Sequence, residues 1–183
     1  DAHDIRPLFA RAKKGEEEAK ERLFTLMYTP LYRFILSRVG GRETAEDLTQ
    51  DVFVRLYEAL PTFEERGLNP MAFIYTIARN ATIDFHKKKK AVRLEVLDLP
   101  DIQDDNAPHP EKEAIKGEDS ARALSTLLLL REEEREIITL RVMGGLSAKE
   151  TAHIVGKSEE AVRQMQSRAL RKLRDTLTLR QAQ

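Results

Sequence analysis

The sequence predicts an all-α protein made of two small helical domains joined by an extended acidic linker. Apolar residues recur at steps of three and four along most of the chain, the period of helices with one buried face. Alternating strand patterns are hard to find. One stretch breaks the helical pattern, because acids and prolines dominate residues 94–119. We therefore place the N-terminal domain at 1–93, the linker at 94–119 and the C-terminal domain at 120–183.

The overall composition of the chain limits the classes of function that it can have. The 183 residues carry 31 Lys+Arg and 31 Asp+Glu, so the net charge is zero and the charges are instead separated locally. Cysteine is absent, which excludes disulfides and thiolate zinc sites and suits a reducing compartment. No apolar run reaches the roughly 20 residues of a membrane span, and no signal-peptide pattern opens the chain. We expect a cytoplasmic protein with no membrane insertion of its own.

Motifs of catalysis are missing from the sequence. It contains no phosphate-binding glycine loop, no nucleophile motif and no HExxH metal motif. The histidines are scattered without the spacing of metal ligands. We therefore expect no catalytic residue, no metal site and no cofactor.

The N-terminal domain opens with amphipathic segments. Their apolar spacing predicts three helices, over residues 5–13, 16–28 and 31–39. Pro30 is expected in the first turn of the third helix, where its missing N–H is tolerated. Gly40 and Gly41 end this helix, and Thr44 is the expected N-cap of the next one.

The next helix, residues 45–60, has one apolar and one largely acidic face. The acidic face consists of Asp47, Gln50, Asp51, Val54 and Glu58. From periodicity alone, a solvated face and a docking face for a partner protein are about equally good explanations.

The following helix, residues 71–90, ends in four consecutive lysines. A helix terminus that complements its own dipole explains one or two of them, not four, so we favour an anionic ligand. Asn80 offers both a donor and an acceptor to a base edge, and Lys87 to Lys90 suit a nucleic-acid backbone. The loop from Phe63 to Pro70 precedes this helix and is the expected pocket for one unstacked base.

The C-terminal domain carries a helix-turn-helix pattern. Ser147 and Glu150 fit a capping box, Gly156 supplies the turn, and Ser158 caps a longer helix that runs to about Leu177. This helix is rich in arginine and glutamine, whose long donors suit phosphates and base edges. A solvated polar face is the competing and less favoured interpretation.

These segments, in this order, resemble the extracytoplasmic-function class of bacterial sigma factors. Residues 45–53 look like the segment of that family that docks on the clamp coiled coil of core RNA polymerase. Residues 74–80, with Asp84 and the lysines, look like its segment for the melted −10 promoter element. Residues 146–173 are similar to its helix-turn-helix for the −35 element.

The resemblance implies three sets of contact residues. Those for core RNA polymerase are Asp47, Gln50, Asp51, Phe53 and Arg55. Those for the −10 element are Phe63, Arg79, Asn80, Lys87 and Lys88. Those for the −35 element are Ser158, Arg163, Gln164, Arg168, Arg171 and Lys172. The implied function is promoter-specific initiation of transcription, and the implied regulator is an anti-sigma factor that covers the docking faces.

The sequence departs from this family at several positions. The family often has tryptophan where Phe73 stands, a basic residue at Thr76 and an apolar residue at Lys157. Met165 and Gln166 also differ from the commoner choices in the recognition helix. These departures leave the class intact and leave the promoter sequence open.

Three other functions remain as alternatives. A helix-turn-helix regulator that binds DNA without polymerase would leave the acidic face of residues 45–60 unexplained. A nucleic-acid hydrolase could use Asp47, Asp51 and Asp84, but the first two lie on an exposed helical face and no cage for a divalent metal is evident. A scaffold that bridges acidic and basic partners is the third.

Overall fold

The computed structural model describes residues 4–64, 69–97 and 124–181. Within these ranges the regular structure is entirely helical, which confirms the predicted all-α class. Most of the predicted linker, and the residues at 65–68 in the predicted base pocket, lie outside the described part. The helix before the linker continues to Leu97, so the extended segment does not begin at Leu94 as predicted.

The elements fall into two groups along the chain. The N-terminal group consists of α1 (Arg6–Lys13), α2 (Glu17–Val39), α3 (Arg42–Ala59), a 3₁₀ turn (Leu60–Thr62) and α4 (Pro70–Leu97). The C-terminal group consists of a helical turn at 124–127, α5 (Glu132–Ile138), a π-helical turn (Thr139–Met143), α6 (Ala148–Val155) and α7 (Glu159–Gln181).

Two predicted boundaries in the N-terminal group are wrong. Helix α2 runs without interruption through Pro30, because Met27 and Leu31 on either side are buried and hold both halves against one core. The proline costs one backbone hydrogen bond, but packing keeps the helix continuous. Helix α3 begins at Arg42 with Gly41 as its N-cap, so Thr44 lies inside its first turn instead of capping it.

One continuous core joins helices α1 to α4. Phe9, Leu23, Phe34, Leu56 and Ile74 are each 0% exposed and lie at its centre. Full burial of an aliphatic or aromatic side chain of this size contributes about 1.5–3 kcal/mol. This core fixes the orientation of α3 and α4 and therefore decides which of their faces meet solvent.

The C-terminal group forms the predicted helix-turn-helix. The Ser147 N–H donates to Glu150 Oε2 at 2.7 Å, and the Glu150 N–H donates to Ser147 Oγ at 3.1 Å, which completes the capping box of α6. Gly156 ends α6 with a φ of 68°, in the left-handed region that glycine adopts without strain. The apolar residues of α5, α6 and α7 form two small clusters around Ile137 and Ile138.

The two groups pack against each other. Leu140 and Leu146, from the C-terminal group, are fully buried in the core of the N-terminal group. Gly144 lies directly on Tyr75, since a Cβ atom there would come within 3.0 Å of the Tyr75 ring and within 2.6 Å of the Leu140 carbonyl oxygen. The close approach therefore needs a residue without a side chain at position 144.

Candidate functional site

The acidic face of α3 is open to solvent. Asp47 and Gln50 are exposed, and Asp51 is half-buried. Arg55 lies among these acids, with its Nη2 atom 2.8 Å from Asp51 Oδ2 and its Nη1 atom 3.4 Å from Asp84 Oδ2. Partial burial favours the neutral form of Arg55, but hydrogen bonds to the two carboxylates outweigh it and raise its pKa. The face thus presents carboxylates around a single cation that ties α3 to α4.

Phe53, which the resemblance implied as a polymerase contact, does not lie on this face. Its side chain is 3% exposed, and its ring lies 4.6 Å from the Phe24 ring and 6.0 Å from the Tyr57 ring. It packs in the core beside Val52, so it supports the face from below. The apolar residue that α3 does expose is Val54, at 55%.

Phe63 is also buried, contrary to its predicted contact with the −10 element. It is 6% exposed, and its ring lies 4.4 Å from Phe73 and 5.1 Å from Phe9. The backbone carbonyl of Phe63 accepts a hydrogen bond from the Lys13 ammonium group, which fixes the chain here against α1. The ring closes one end of the core, so an unstacked base cannot reach it in this conformation.

The basic face of α4 is divided. Asn80, Lys87 and Lys88 are exposed, as predicted. Arg79 is instead held by the C-terminal group, because its Nε atom donates to Glu136 Oε1 at 2.7 Å. The same carboxylate oxygen lies 2.9 Å from Nη1 of Arg38, a residue of α2 that the sequence analysis did not select.

Helix α7 presents its predicted −35 residues together. All six are exposed on α7 or at its N-terminus, namely Ser158, Arg163, Gln164, Arg168, Arg171 and Lys172. Ser158 Oγ accepts from the Ala161 N–H at 3.1 Å, which confirms the predicted cap. A groove of about 490 Å³ on this helix is lined by two of the six, Arg163 and Arg171, together with Gln166, Ser167, Leu170 and Arg174.

Two of the cations among these side chains are already ion-paired with carboxylates. Arg163 is ion-paired with Glu159 one turn earlier on the exposed surface. Lys172 Nζ lies 2.8 Å from both carboxylate oxygens of Glu134 on α5. The hydrogen bond from Lys172, with a further one from the Arg131 N–H, lowers the pKa of Glu134. Lys172 therefore fastens α7 to α5 in addition to facing solvent.

Among the described residues, no group of three or more His, Asp or Glu side chains is arranged to hold a metal ion. None of the helices in the described ranges is long and apolar enough to cross a membrane.

Comparison with known proteins follows the same division of the chain. The Sigma-70 region 2 family matches residues 23–92, and the Sigma-70 region 4 family matches residues 127–175. The first match covers α3 and the exposed part of α4, and the second covers α5 to α7.

Relatives match across nearly the whole chain. The ECF RNA polymerase sigma factor BldN of Streptomyces coelicolor is 37% identical over 178 residues, which are 94% of this chain and 66% of BldN. The ECF RNA polymerase sigma factor SigD of Mycobacterium tuberculosis is 35% identical over 175 residues, which are 92% of this chain and 81% of SigD. The chain thus spans about two thirds of BldN and most of SigD.

The fold is similar to that of a protein whose structure has been solved. The structure of CnrH in complex with the cytosolic domain of CnrY covers 98% of this chain and 99% of that chain, with a TM-score of 0.65 and 28% sequence identity. Sequence, fold and order of the segments agree, and the chain belongs to the ECF sigma factors of bacterial RNA polymerase.

Proposed function

We propose that this chain binds core RNA polymerase and directs promoter-specific initiation of transcription through two DNA-binding surfaces. The observation that carries this proposal is the pairing, on one chain, of an open acidic face on α3 with an open cationic helix-turn-helix on α7. A regulator that only binds DNA needs the second surface and not the first. The chemistry of RNA synthesis belongs to the polymerase, so this chain is not itself an enzyme.

The polymerase surface that we propose is centred on Asp47, Gln50 and Asp51, with Arg55 as their neighbour. Complementary charge steers two proteins together and sets their register. An exposed apolar side chain, Val54, lies among the acids and supplies contact area. Phe53 is assigned a supporting role, because it is buried beneath the surface.

The −35 surface that we propose is the exposed face of α7. In a helix-turn-helix, residues near the N-terminus of the second helix contact base edges in the major groove. We assign this task to Arg163, Gln164 and Arg168. Arg171 and Ser158 are assigned to phosphates, the latter at the positive end of the α7 dipole.

The −10 surface that we propose is on α4. We assign a base contact to Asn80 and contacts with the backbone of the melted strand to Lys87 and Lys88, since all three side chains are exposed. Arg79 joins them once its pairing with Glu136 is released. We assign no base contact to Phe63.

The division into two domains remains part of this proposal, with the N-terminal domain extended to the end of α4 at Leu97, the linker reduced to 98–119 and the C-terminal domain at 120–183. An anti-sigma factor is the proposed regulator, and the cytoplasm is the proposed location because core polymerase and promoter DNA are found there. Promoter DNA and core polymerase are the partners that the function requires, and no cofactor is proposed.

A reconstitution tests the proposal. The purified chain is added to core polymerase and genomic promoter DNA, and transcripts are resolved by length. We expect discrete transcripts that neither component makes alone. Binding of duplex DNA with no effect on transcription would identify a stand-alone regulator. Cleavage of the template would identify a hydrolase, and either outcome would overturn the proposal.

A further inference from the structure

The strongest unexplained feature is a carboxylate buried between two arginines from the other domain. Glu136 of α5 is 7% exposed, and its Oε1 atom lies 2.7 Å from Arg79 Nε and 2.9 Å from Arg38 Nη1. Arg38 is itself 5% exposed in its side chain, and its Nε donates to Thr82 Oγ1 at 2.8 Å. Three helices, α2, α4 and α5, therefore meet on one oxygen atom.

We propose that Arg38 and Arg79 form a binding site for a phosphate of single-stranded promoter DNA, and that Glu136 occupies this site in the free protein. The inference rests on the proposed function, since it names a further residue of the −10 surface and the regulation of that surface. The promoter strand and α5 would then compete for the same two guanidinium groups.

The chemistry of the pair suits an oxyanion. Guanidinium groups match carboxylate and phosphate oxygens with the same planar donors, so an arrangement that holds one can hold the other. Burial disfavours the charged form of Arg38 and lowers its pKa, while Glu136 partly offsets this cost. The buried Arg38 side chain, with the partly buried Arg79 beside it, needs an anion at this position, whichever anion it is.

The surroundings of Arg38 and Arg79 carry a net positive charge even when the negative charge of Glu136 is included. A cleft of about 450 Å³ beside Arg38 is lined by Lys87, Lys90 and Arg135, with Glu132 as the opposing acid. Arg135 Nε is buried there without a hydrogen-bond partner. Lys87 already belongs to the proposed −10 surface, so a strand that follows the lysines toward α2 meets Arg38 and Arg79 next.

The competition couples domain packing to DNA binding. While Glu136 holds the arginines, α5 covers them, and Leu140 and Leu146 stay in the N-terminal core. Entry of a phosphate requires α5 to leave, which exposes those leucines. Because the apparent affinity for the strand is reduced by the fraction of molecules in which Glu136 holds the arginines, a change that weakens the Glu136 contact strengthens strand binding by up to the same factor.

The first test uses the full chain and a charge-matched control. Glu136→Gln removes the buried anion, whereas Glu133→Gln removes the same charge from the exposed pair with Lys157, within the C-terminal domain. Fluorescence anisotropy with a short labelled single-stranded DNA measures affinity. We expect Glu136→Gln to bind about fivefold tighter or more, within the usual range of coupling between sites, and Glu133→Gln to match the wild type. Equal affinity for Glu136→Gln and wild type would overturn the proposal.

A second comparison distinguishes a phosphate-binding site from an ion pair that only holds the two domains together. In the Glu136→Gln background, Arg38→Gln should return the affinity for the single strand to about the wild-type value or below it, because a phosphate contact is lost. If Arg38→Gln changes nothing in that background, Arg38 is a structural partner of Glu136 only, and the phosphate site is refuted. Circular dichroism melting confirms that each variant is folded.

The distance between domains gives an independent measure. The sequence has no cysteine, so labels can be attached at Glu58→Cys on α3 and Asp175→Cys on α7, both exposed. Energy transfer should fall when single-stranded DNA is added, and less DNA should be needed with Glu136→Gln. Unchanged transfer at saturating DNA would overturn the competition. Wild-type transcription with core polymerase, run in parallel, tests the proposed function separately, because it can succeed when these results fail.

Discussion

The two domains differ in how they are held together. The N-terminal domain has one continuous core, in which aromatic and aliphatic side chains from α1 to α4 are fully buried. The C-terminal domain divides its apolar residues between two small clusters and inserts Leu140 and Leu146 into its neighbour's core. The C-terminal domain therefore depends on the N-terminal domain for part of its apolar burial.

The two domains also differ in how far the arginines of their cationic surfaces are covered. The N-terminal surface has its arginine covered by Glu136, whereas the α7 surface has its arginines open to solvent. The packing of the two domains against each other accounts for both differences, because the arrangement that buries Leu140 also brings Glu136 of α5 onto Arg79. We therefore propose that the α7 surface is available for duplex DNA in the free protein, whereas the α4 surface takes up a single strand only after α5 moves away.

Reversing a charge on the acidic face should have the largest effect. Asp51→Arg places a second cation beside Arg55 on the face that we assign to polymerase, and like charges at an interface cost several kcal/mol. We expect loss of co-purification with core polymerase. Glu18→Arg makes the same charge change on α2, at a side chain 75% exposed, and should bind normally. Undiminished binding by a folded Asp51→Arg variant would remove α3 as the docking helix.

Truncating the leucine that joins the domains should have the next largest effect. Leu140→Ala leaves a cavity in the shared core and should lower the free energy of unfolding by about 2–5 kcal/mol in urea denaturation. Val142→Ala, two residues later and 64% exposed, should change it by less than about 0.5 kcal/mol. Similar values for the two variants would mean that the C-terminal domain does not use the neighbouring core.

A substitution on the exposed face of α7 should change promoter specificity more than it changes the stability of the fold. A bidentate contact from arginine to guanine is worth about 1–3 kcal/mol of discrimination, so Arg163→Ala should alter which promoters are used. Arg171→Ala, assigned to a phosphate, should weaken all promoters evenly. Competition transcription on a mixture of promoters measures both. An unchanged ranking with Arg163→Ala would remove Arg163 from base recognition.

The smallest expected effect concerns the link between α5 and α7. Lys172 lowers the pKa of Glu134, so the stabilisation it gives is present above the ordinary glutamate pKa of 4.5 and is lost as the pH falls through the lowered folded value. Lys172 is half exposed, so Lys172→Ala should cost about 1 kcal/mol or less at pH 7. The difference from wild type should shrink below about pH 4.5. A difference independent of pH would show that Lys172 acts by packing alone.

The sequence predicted best the features whose causes are local. The capping box of Ser147 and Glu150, the turn at Gly156 and the cap at Ser158 each depend on residues within one helical turn. The exposure of the α7 donors follows from helical period once one apolar stripe is identified. Pro30 misled the prediction because a rule about isolated helices was applied where tertiary packing is stronger.

The predictions that failed at individual site residues failed for a different reason, because long-range contacts decide where those side chains lie. Phe53 borders both the apolar and the acidic face of α3, so only its contact with Phe24 decides which side it joins. Phe63 follows the end of a helix, so the helical spacing of apolar residues gives no guide to its burial. Its burial depends instead on contact with Phe9, which is far away in the sequence. The pairing of Arg79 with Glu136 spans 57 positions and joins two domains, so no local pattern can indicate it.

Mapping the 5′ ends of transcripts made by core polymerase with this chain tests the central claim most directly. Start sites that depend on the chain should align on two conserved blocks of sequence at a fixed separation, one for each cationic surface. Arg163→Ala should alter the upstream block and leave the downstream block unchanged. Start sites that share a single block, or no start sites that require the chain, would contradict the account.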